Sequence, residues 1–319
     1  MDGMISLIPR TAPLASMGPA TQRTLKTEIS CVGTGLHSGL RIRLTLLPAP
    51  IDTGIVFRRT DLGLDIPARH DRVVDTRLCT VLGLPDRPEA RVGTVEHVMA
   101  ALVAAGIDNA VVAVDGPEVP VLDGSAEPFL FLIDSAGTVP QAAPLRWIEV
   151  RRPVRVAQGE AFAELRPGIP ADDHPVLQAS LSISFAAEAI GRQALTLALD
   201  DLTVRHELAR ARTFTQAAEV EQLRAAGLAL GGSLDNAVVV DGALVLNPTG
   251  LRMRDEFVRH KMLDMVGDLA LAGTRLHGTV VASRTGHRLN NQLLQALFAD
   301  PENWGWAEAA PAWAAIRAA

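Results

Sequence analysis

The stretch Glu256–Gly273, EFVRHKMLDMVGDLALAG, is the part of the sequence on which the fold turns. Val258, Met262, Met265, Val266 and Leu269 cluster on one side of a helical wheel, which predicts an amphipathic helix that stops at Gly273. HGTVVAS then reads as a strand, and GHRLNNQLLQALF as a second helix. Toward the N-terminus the same order occurs earlier. GTVEHVMAALVAAGIDN predicts a helix with Thr94 as N-cap and Gly106 as its stop; NAVVAVDG follows as a strand, and another helix comes after LDGSAEP. Two copies of helix, strand, helix point to an internal duplication.

Between the copies, QAAPLRWIEVRRP offers a boundary, with Pro144 just before a new strand. Further out, RIRLTLLPA alternates Ile42, Leu44 and Leu46 with Arg41, Arg43 and Thr45, the pattern of a half-buried strand. The expected organisation is a flexible leader over 1–21, a first α+β domain over 22–145, a second over 146–300, and a helical or frayed tail over 301–319.

With 48% hydrophobic and 21% charged residues in 319, the composition is that of a soluble globular chain. A formal net charge of −6 argues against a nucleic-acid binder, which needs clustered excess cations. Cys31 and Cys79 are far apart and not in a CxxC pair, so a reducing compartment, the cytoplasm, is the simpler expectation. No apolar run approaches the roughly 18 residues of a spanning helix, and the opening lacks the core of a signal peptide, so no stable membrane insertion is expected.

Opposite the apolar side of the 256–273 helix, His260, Asp264 and Asp268 recur at steps of four, drifting by about 40° per step. A wet polar face would look the same. Phe257, Leu263 and Leu271 interrupt that side, however, and carboxylates kept from water need a cation or donors. A hydrolytic metal site wants three protein ligands and one open position, so this helix could supply two. Glu96-His97 is the natural source of the third, with His97 kept neutral at a helix start and Glu96 beside the metal. Taken alone the pair is also an ordinary helix start, and its spacing is not the HExxH of zinc peptidases. His287, after a glycine turn, is a candidate proton donor if Asp268 raises its pKa; a capping histidine is the alternative.

Taken together, GTGLHSG, TVEH, LDGSAEPF, ARTF, GGSLDNAVV, NPTGLR, EFVRHKMLDMVGDL and GHRLNN resemble, in order and over about Gln22 to Phe298, the UDP-3-O-acyl-N-acetylglucosamine deacetylases, zinc amidases of lipid A biosynthesis. The resemblance implies one zinc per chain on His97, His260 and Asp264, with Glu96 as general base and His287 as general acid supported by Asp268. It also implies that Thr213 stabilises the oxyanion, that Lys261 contacts the substrate head group, and that Phe185 and Phe214 contact substrate. The implied fold has two similar α+β domains with their helices sandwiched between the sheets. A βαβ insert at about 213–240 would enclose the acyl chain through Ala217, Val220, Ala229, Leu234 and Val239. The implied partner is a small-molecule UDP-linked acylated amino sugar, with a monomeric protein favoured. The residues themselves leave open another divalent ion, a different N-acetylated sugar, and a non-catalytic binding protein on this scaffold. Arg77 in DTRLCT, Gln216, and FAAEAIG after Ile183-Ser184 depart from the family pattern, which bears on nucleotide and acyl recognition.

Overall fold

The computed structural model describes residues 20–169 and 175–309. The leader expected over 1–21 lies outside them except for Ala20 and Thr21, and Thr21 already belongs to a strand. The elements up to Pro144 are β1 (Thr21–Leu25), β2 (Ile29–Thr34), β3 (Arg41–Pro48), β4 (Ile55–Arg59), β5 (Leu64–Pro67), β6 (Val73–Asp75), β7 (Val81–Leu84), β8 (Arg87–Val92), α1 (Glu96–Ala104), β9 (Ala110–Val114), α2 (Glu127–Ala136) and β10 (Thr138–Pro144). Their main sheet has the order β2-β3-β9-β4-β5, and β6-β7-β8 form a smaller one. The alternation read in β3 is real: Ile42, Leu44 and Leu46 are buried while Arg41 and Arg43 are exposed. In β9 all but Val111 are buried, as suits a central strand flanked by β3 and β4. β1 pairs antiparallel with β10, tying the start of this half to its end.

The second half holds β11 (Arg146–Val150), β12 (Val154–Gln158), β13 (Ala161–Arg166), β14 (Leu177–Ser184), β15 (Arg192–Leu199), α3 (Asp201–Thr203), β16 (Phe214–Gln216), α4 (Ala217–Ala225), β17 (Val238–Asp241), β18 (Leu244–Val245), α5 (Glu256–Leu269), β19 (Arg275–Ser283), α6 (His287–Phe298) and β20 (Trp304–Glu308). Its seven-stranded sheet is centred on β19, which pairs with β11, β13 and β14. β16 and β17 run parallel on either side of α4, so the segment expected as an insert is a βαβ unit.

The duplication appears as α1-β9-α2 and α5-β19-α6. Both leading helices end where a glycine takes the left-handed conformation, Gly106 at φ 65° and Gly273 at φ 88°. α1 packs on α5, α5 on α6, α2 on β2, and α5 and α6 on strands of the second sheet. The helices thus pack on one another and, through α2, α5 and α6, on strands of both main sheets, and one continuous apolar core runs from Leu44 and Phe57 through Met99 and Met262 to Leu181 and Val280.

One expectation needs correcting. Residues 301–308 are not a tail: Pro301–Asn303 form a 3-10 turn, and Trp304–Glu308 pair antiparallel with β11. The expectation for this end was a helical or frayed tail. β11, however, offers an edge of unpaired backbone groups, and Ala309 packs beside Leu145 and Trp147. Residues 310–319 lie outside the described ones. No helix among the described residues is long and apolar enough to cross a membrane.

Candidate metal centre and catalytic groups

α5 is buried on both sides. His260, Asp264 and Asp268 are each no more than 4% exposed, so the four-residue stripe is not a washed surface. What covers it is the start of α1, where Glu96 and His97 are equally buried. Contact is possible because Gly267 stands one position before Asp268: a Cβ there would lie 2.0 Å from the carbonyl oxygen of Glu96. Thr94 is not the N-cap expected of it. Val95 occupies that position, and Thr94 sits at φ 56° with its hydroxyl donating to Glu118 Oε1 at 3.0 Å. Competition from a buried carboxylate explains the change, since Glu118 also receives the backbone N–H groups of His37 and Ser38 in the GTGLHSG loop.

The helices bring His97, His260 and Asp264 together, with one ligand atom from each within 4.8 Å of the others. Asp264 Oδ1 is 3.2 Å from His260 Nε2 and 3.6 Å from His97 Nε2. This oxygen is buried and has no hydrogen-bond partner among the described residues. A buried carboxylate oxygen facing two imidazole nitrogens and no donor is a donor set that suits a divalent cation. His260 Nδ1 lies 3.0 Å from the carbonyl oxygen of Ala211, an acceptor only, so Nδ1 carries a proton and a neutral ring would turn its Nε2 lone pair to a metal. Burial pushes the His97 pKa down, which favours the neutral ring a metal needs. Burial acts to raise the Asp264 pKa, but the neighbouring His260 and Lys261 hold it well below the usual carboxylate range. Lys261 is half-buried and donates to Asp264 Oδ2 at 2.8 Å, rather than standing free at a rim.

Beside the triad are the other two groups expected. Glu96 Oε1 lies 3.8 Å from His287 Nε2, too far for a hydrogen bond. Burial pushes the Glu96 carboxyl up to about 7; nearby Asp268 and Asp264 add to this, while His287 opposes it. For His287, burial acts against the charged ring. The Asp268 and Glu96 carboxylates and a 2.8 Å bond from Nδ1 to Asp268 Oδ2 outweigh it, and the pKa reaches about 9. At neutral pH this histidine is a cation held beside a carboxyl poised near its midpoint.

Thr213 is placed by its neighbours: its N–H donates to Gly124 O at 2.8 Å, and its carbonyl oxygen accepts from Val238 at 2.8 Å. Phe214 stacks edge-on with Phe185, Phe257 and His260, with ring centroids 5.4, 5.0 and 6.2 Å apart. Phe214 thus reaches the ring of His260, and Phe185 reaches Phe214. The acyl-contact candidates are looser: Ala217, Val220, Ala229 and Val239 are half-buried and Leu234 is exposed. The cavity that α4 borders is lined by Leu223 near its other end and by Gly227 and Leu228 just beyond it, together with His37, Leu78 and Thr94. Gln216 makes a capping box with Glu219 at the start of α4, which gives its departure from the family pattern a local role. Arg77 is exposed and paired with Asp75 at 2.6 Å.

Sequence reasoning missed Thr80 and Asn290, which hold Glu96 and Asp268. The backbone N–H of Thr80 donates to Glu96 Oε2 at 3.1 Å, its hydroxyl donates to Asp268 Oδ1 at 2.5 Å, and Asn290 Nδ2 donates to Asp268 Oδ2 at 2.8 Å. Both residues lie in quoted stretches, DTRLCT and GHRLNN, but nothing local marks a threonine or asparagine as an orienter.

Known proteins match the chain over the span that holds these residues. The family model for UDP-3-O-acyl N-acetylglycosamine deacetylase matches residues 22–299. A UDP-3-O-acyl-N-acetylglucosamine deacetylase of Anaeromyxobacter sp. (strain Fw109-5) is 49% identical over 280 residues, covering 88% of this chain and 89% of its own. Proteins of that name from Idiomarina loihiensis and Shewanella sp. (strain W3-18-1) are 48% and 47% identical, each over 89% of this chain and 91% of theirs. With the match spanning both halves and every buried group just described, the chain belongs to the UDP-3-O-acyl-N-acetylglucosamine deacetylase family.

Proposed function

We propose that this enzyme hydrolyses the N-acetyl group of a UDP-3-O-(3-hydroxyacyl)-N-acetylglucosamine in lipid A biosynthesis, releasing acetate and the free amino sugar, with one zinc ion per chain. The carrying observation is the unpartnered Asp264 Oδ1 between two buried imidazoles, flanked by a glutamate and a histidine 3.8 Å apart. His97, His260 and Asp264 would hold the ion. When bound, zinc supplies Lewis-acid polarisation of the acetyl carbonyl and makes water a nucleophile near neutral pH.

The remaining work falls to side chains. Glu96, ionised, takes the proton of the attacking water at Oε1, while its other oxygen stays on the Thr80 amide. The Thr213 hydroxyl donates to the carbonyl oxygen as charge gathers there. His287, protonated, donates from Nε2 to the departing nitrogen, and Asp268 on Nδ1 keeps the ring oriented and charged. Lys261 spends one of three protons on Asp264, leaving two for a sugar or phosphate oxygen. Phe185 and Phe214 shape the wall, and α4 with Ala217, Val220 and Leu234 covers the acyl chain. The free thiols of Cys31 and Cys79 fit a reaction carried out in the cytoplasm.

The test is acetate release from the 3-O-acylated UDP-sugar and from unacylated UDP-N-acetylglucosamine, wild type against Glu96→Ala, with metal measured in both. Turnover of the acylated sugar, lost in Glu96→Ala while the metal stays, is the expected result. Equal turnover of the two sugars would remove the acylated substrate from the assignment.

A further inference from the structure

We infer that Thr80 is a positioning residue that sets the base half of the site against the acid half; this rests on the assignment of Glu96 and His287 as base and acid. Thr80 follows the β6–β7 turn and is 1% exposed. It grips both halves from behind. Its N–H takes the Glu96 oxygen that faces away from His287, and its hydroxyl takes the Asp268 oxygen that faces away from His287. Glu96 Oε1 and Asp268 Oδ2 are thereby left as the oxygens directed at the imidazole, at 3.8 Å from Nε2 and 2.8 Å from Nδ1.

The other support of Asp268 is local to the second half. Asn290 donates to Oδ2 and is itself fixed by the Thr285 hydroxyl at 2.8 Å. Among the described residues, only Thr80 hydrogen-bonds Asp268 from the first half, across 188 positions of sequence. A hydroxyl donating to a buried carboxylate is a charge-assisted bond in a low-dielectric setting, so it resists rotation of that carboxylate. If Asp268 turns, the imidazole turns with it, and the proton on Nε2 is no longer aimed where the amine departs. Thr80 contacts no reacting atom in this scheme.

Thr80→Val keeps the shape and the backbone N–H, and removes only the bond to Asp268. The expected result is a kcat lower by about tenfold or more with KM within twofold, unchanged metal content, and recovery of most of the rate in Thr80→Ser. In an Asp268→Ala background, already slow, Thr80→Val should add nothing, because its effect runs through that carboxylate. Wild-type kcat in Thr80→Val beside a slow Asp268→Ala overturns the inference alone. So does a loss that Ser does not restore, or one fully additive with Asp268→Ala. Wild-type kcat in Asp268→Ala overturns the acid assignment and the inference with it.

Discussion

Glu96 and Gly267 touch backbone to backbone: a methyl group on Gly267 would lie 2.0 Å from the Glu96 carbonyl oxygen and 2.7 Å from its carbon. This approach is what lets His97, from the first half, share a site with His260 and Asp264 from the second. It explains a glycine inside a buried helix, where glycine costs about 1 kcal/mol relative to alanine.

Gly267→Ala should therefore separate α1 from α5 despite its better helix propensity. Overpacking of this kind costs about 1–3 kcal/mol. The expected outcome is a lower thermal midpoint together with loss of bound metal, read by calorimetry and elemental analysis. A variant that is more stable and fully metallated would show that the contact is dispensable.

Asp264→Ala should abolish stoichiometric metal while leaving a folded protein, because it removes the ligand shared by both imidazoles. In the wild type, dialysis against a chelator should lower the thermal midpoint as well as turnover, and added zinc should restore both. A ligand present at about 100 times its Kd stabilises by about 2.7 kcal/mol, which a melting curve resolves.

The pH profile of kcat/KM should be a bell. Glu96 must be ionised, so activity rises with pH through about 7; His287 must be protonated, so activity falls as pH passes about 9. A bound cation lowers both limbs. Asp268→Asn removes the charge that most raises His287 and should draw the alkaline limb down. Stability follows the same groups. Both bind protons more tightly folded than unfolded, so their contribution is present at low pH and fades as pH rises from 4.5 through about 7 for Glu96 and from 6.5 through about 9 for His287.

Thr213→Val should lower kcat by about 100- to 1000-fold with little change in KM, the signature of a donor that acts on the transition state. Lys261→Ala, by contrast, should act through KM, with an added cost to Asp264, which loses a donor. Steady-state kinetics on the acylated sugar separates the two.

Arg212 and Glu256 form an ion pair that is 4% and 0% exposed, with Glu256 also receiving the N–H groups of Arg212 and Arg252. Removing one partner leaves a buried charge, so Glu256→Ala should lose about 3–5 kcal/mol in urea unfolding. The double change Arg212→Met with Glu256→Leu should recover much of it. Because Ala211 and Thr213 flank Arg212, the single variant should also weaken the hold on His260.

Much of this was legible locally. The stripe of His260, Asp264 and Asp268, the glycine stops at Gly106 and Gly273, and the alternation in β3 are periodic signals that the backbone geometry of helix and strand imposes on neighbouring residues. The N-cap at Thr94 was misread because the side chain that competes for its hydroxyl, Glu118, is 24 positions away. β20 was misread because an edge strand is defined by the partner it finds, here β11, more than by its own composition.

The sequence by itself determined which residues could carry chemistry, and that two helix–strand–helix units would present them, since side-chain type and helical period are properties of the chain. Tertiary structure alone decided that Glu96 and His97 meet α5 without a methyl's clearance, that Asp264 Oδ1 is left without a donor, and that Thr80 spans the two halves. These depend on how one sheet-and-helix layer stacks on another. No local period encodes contacts made across 188 positions.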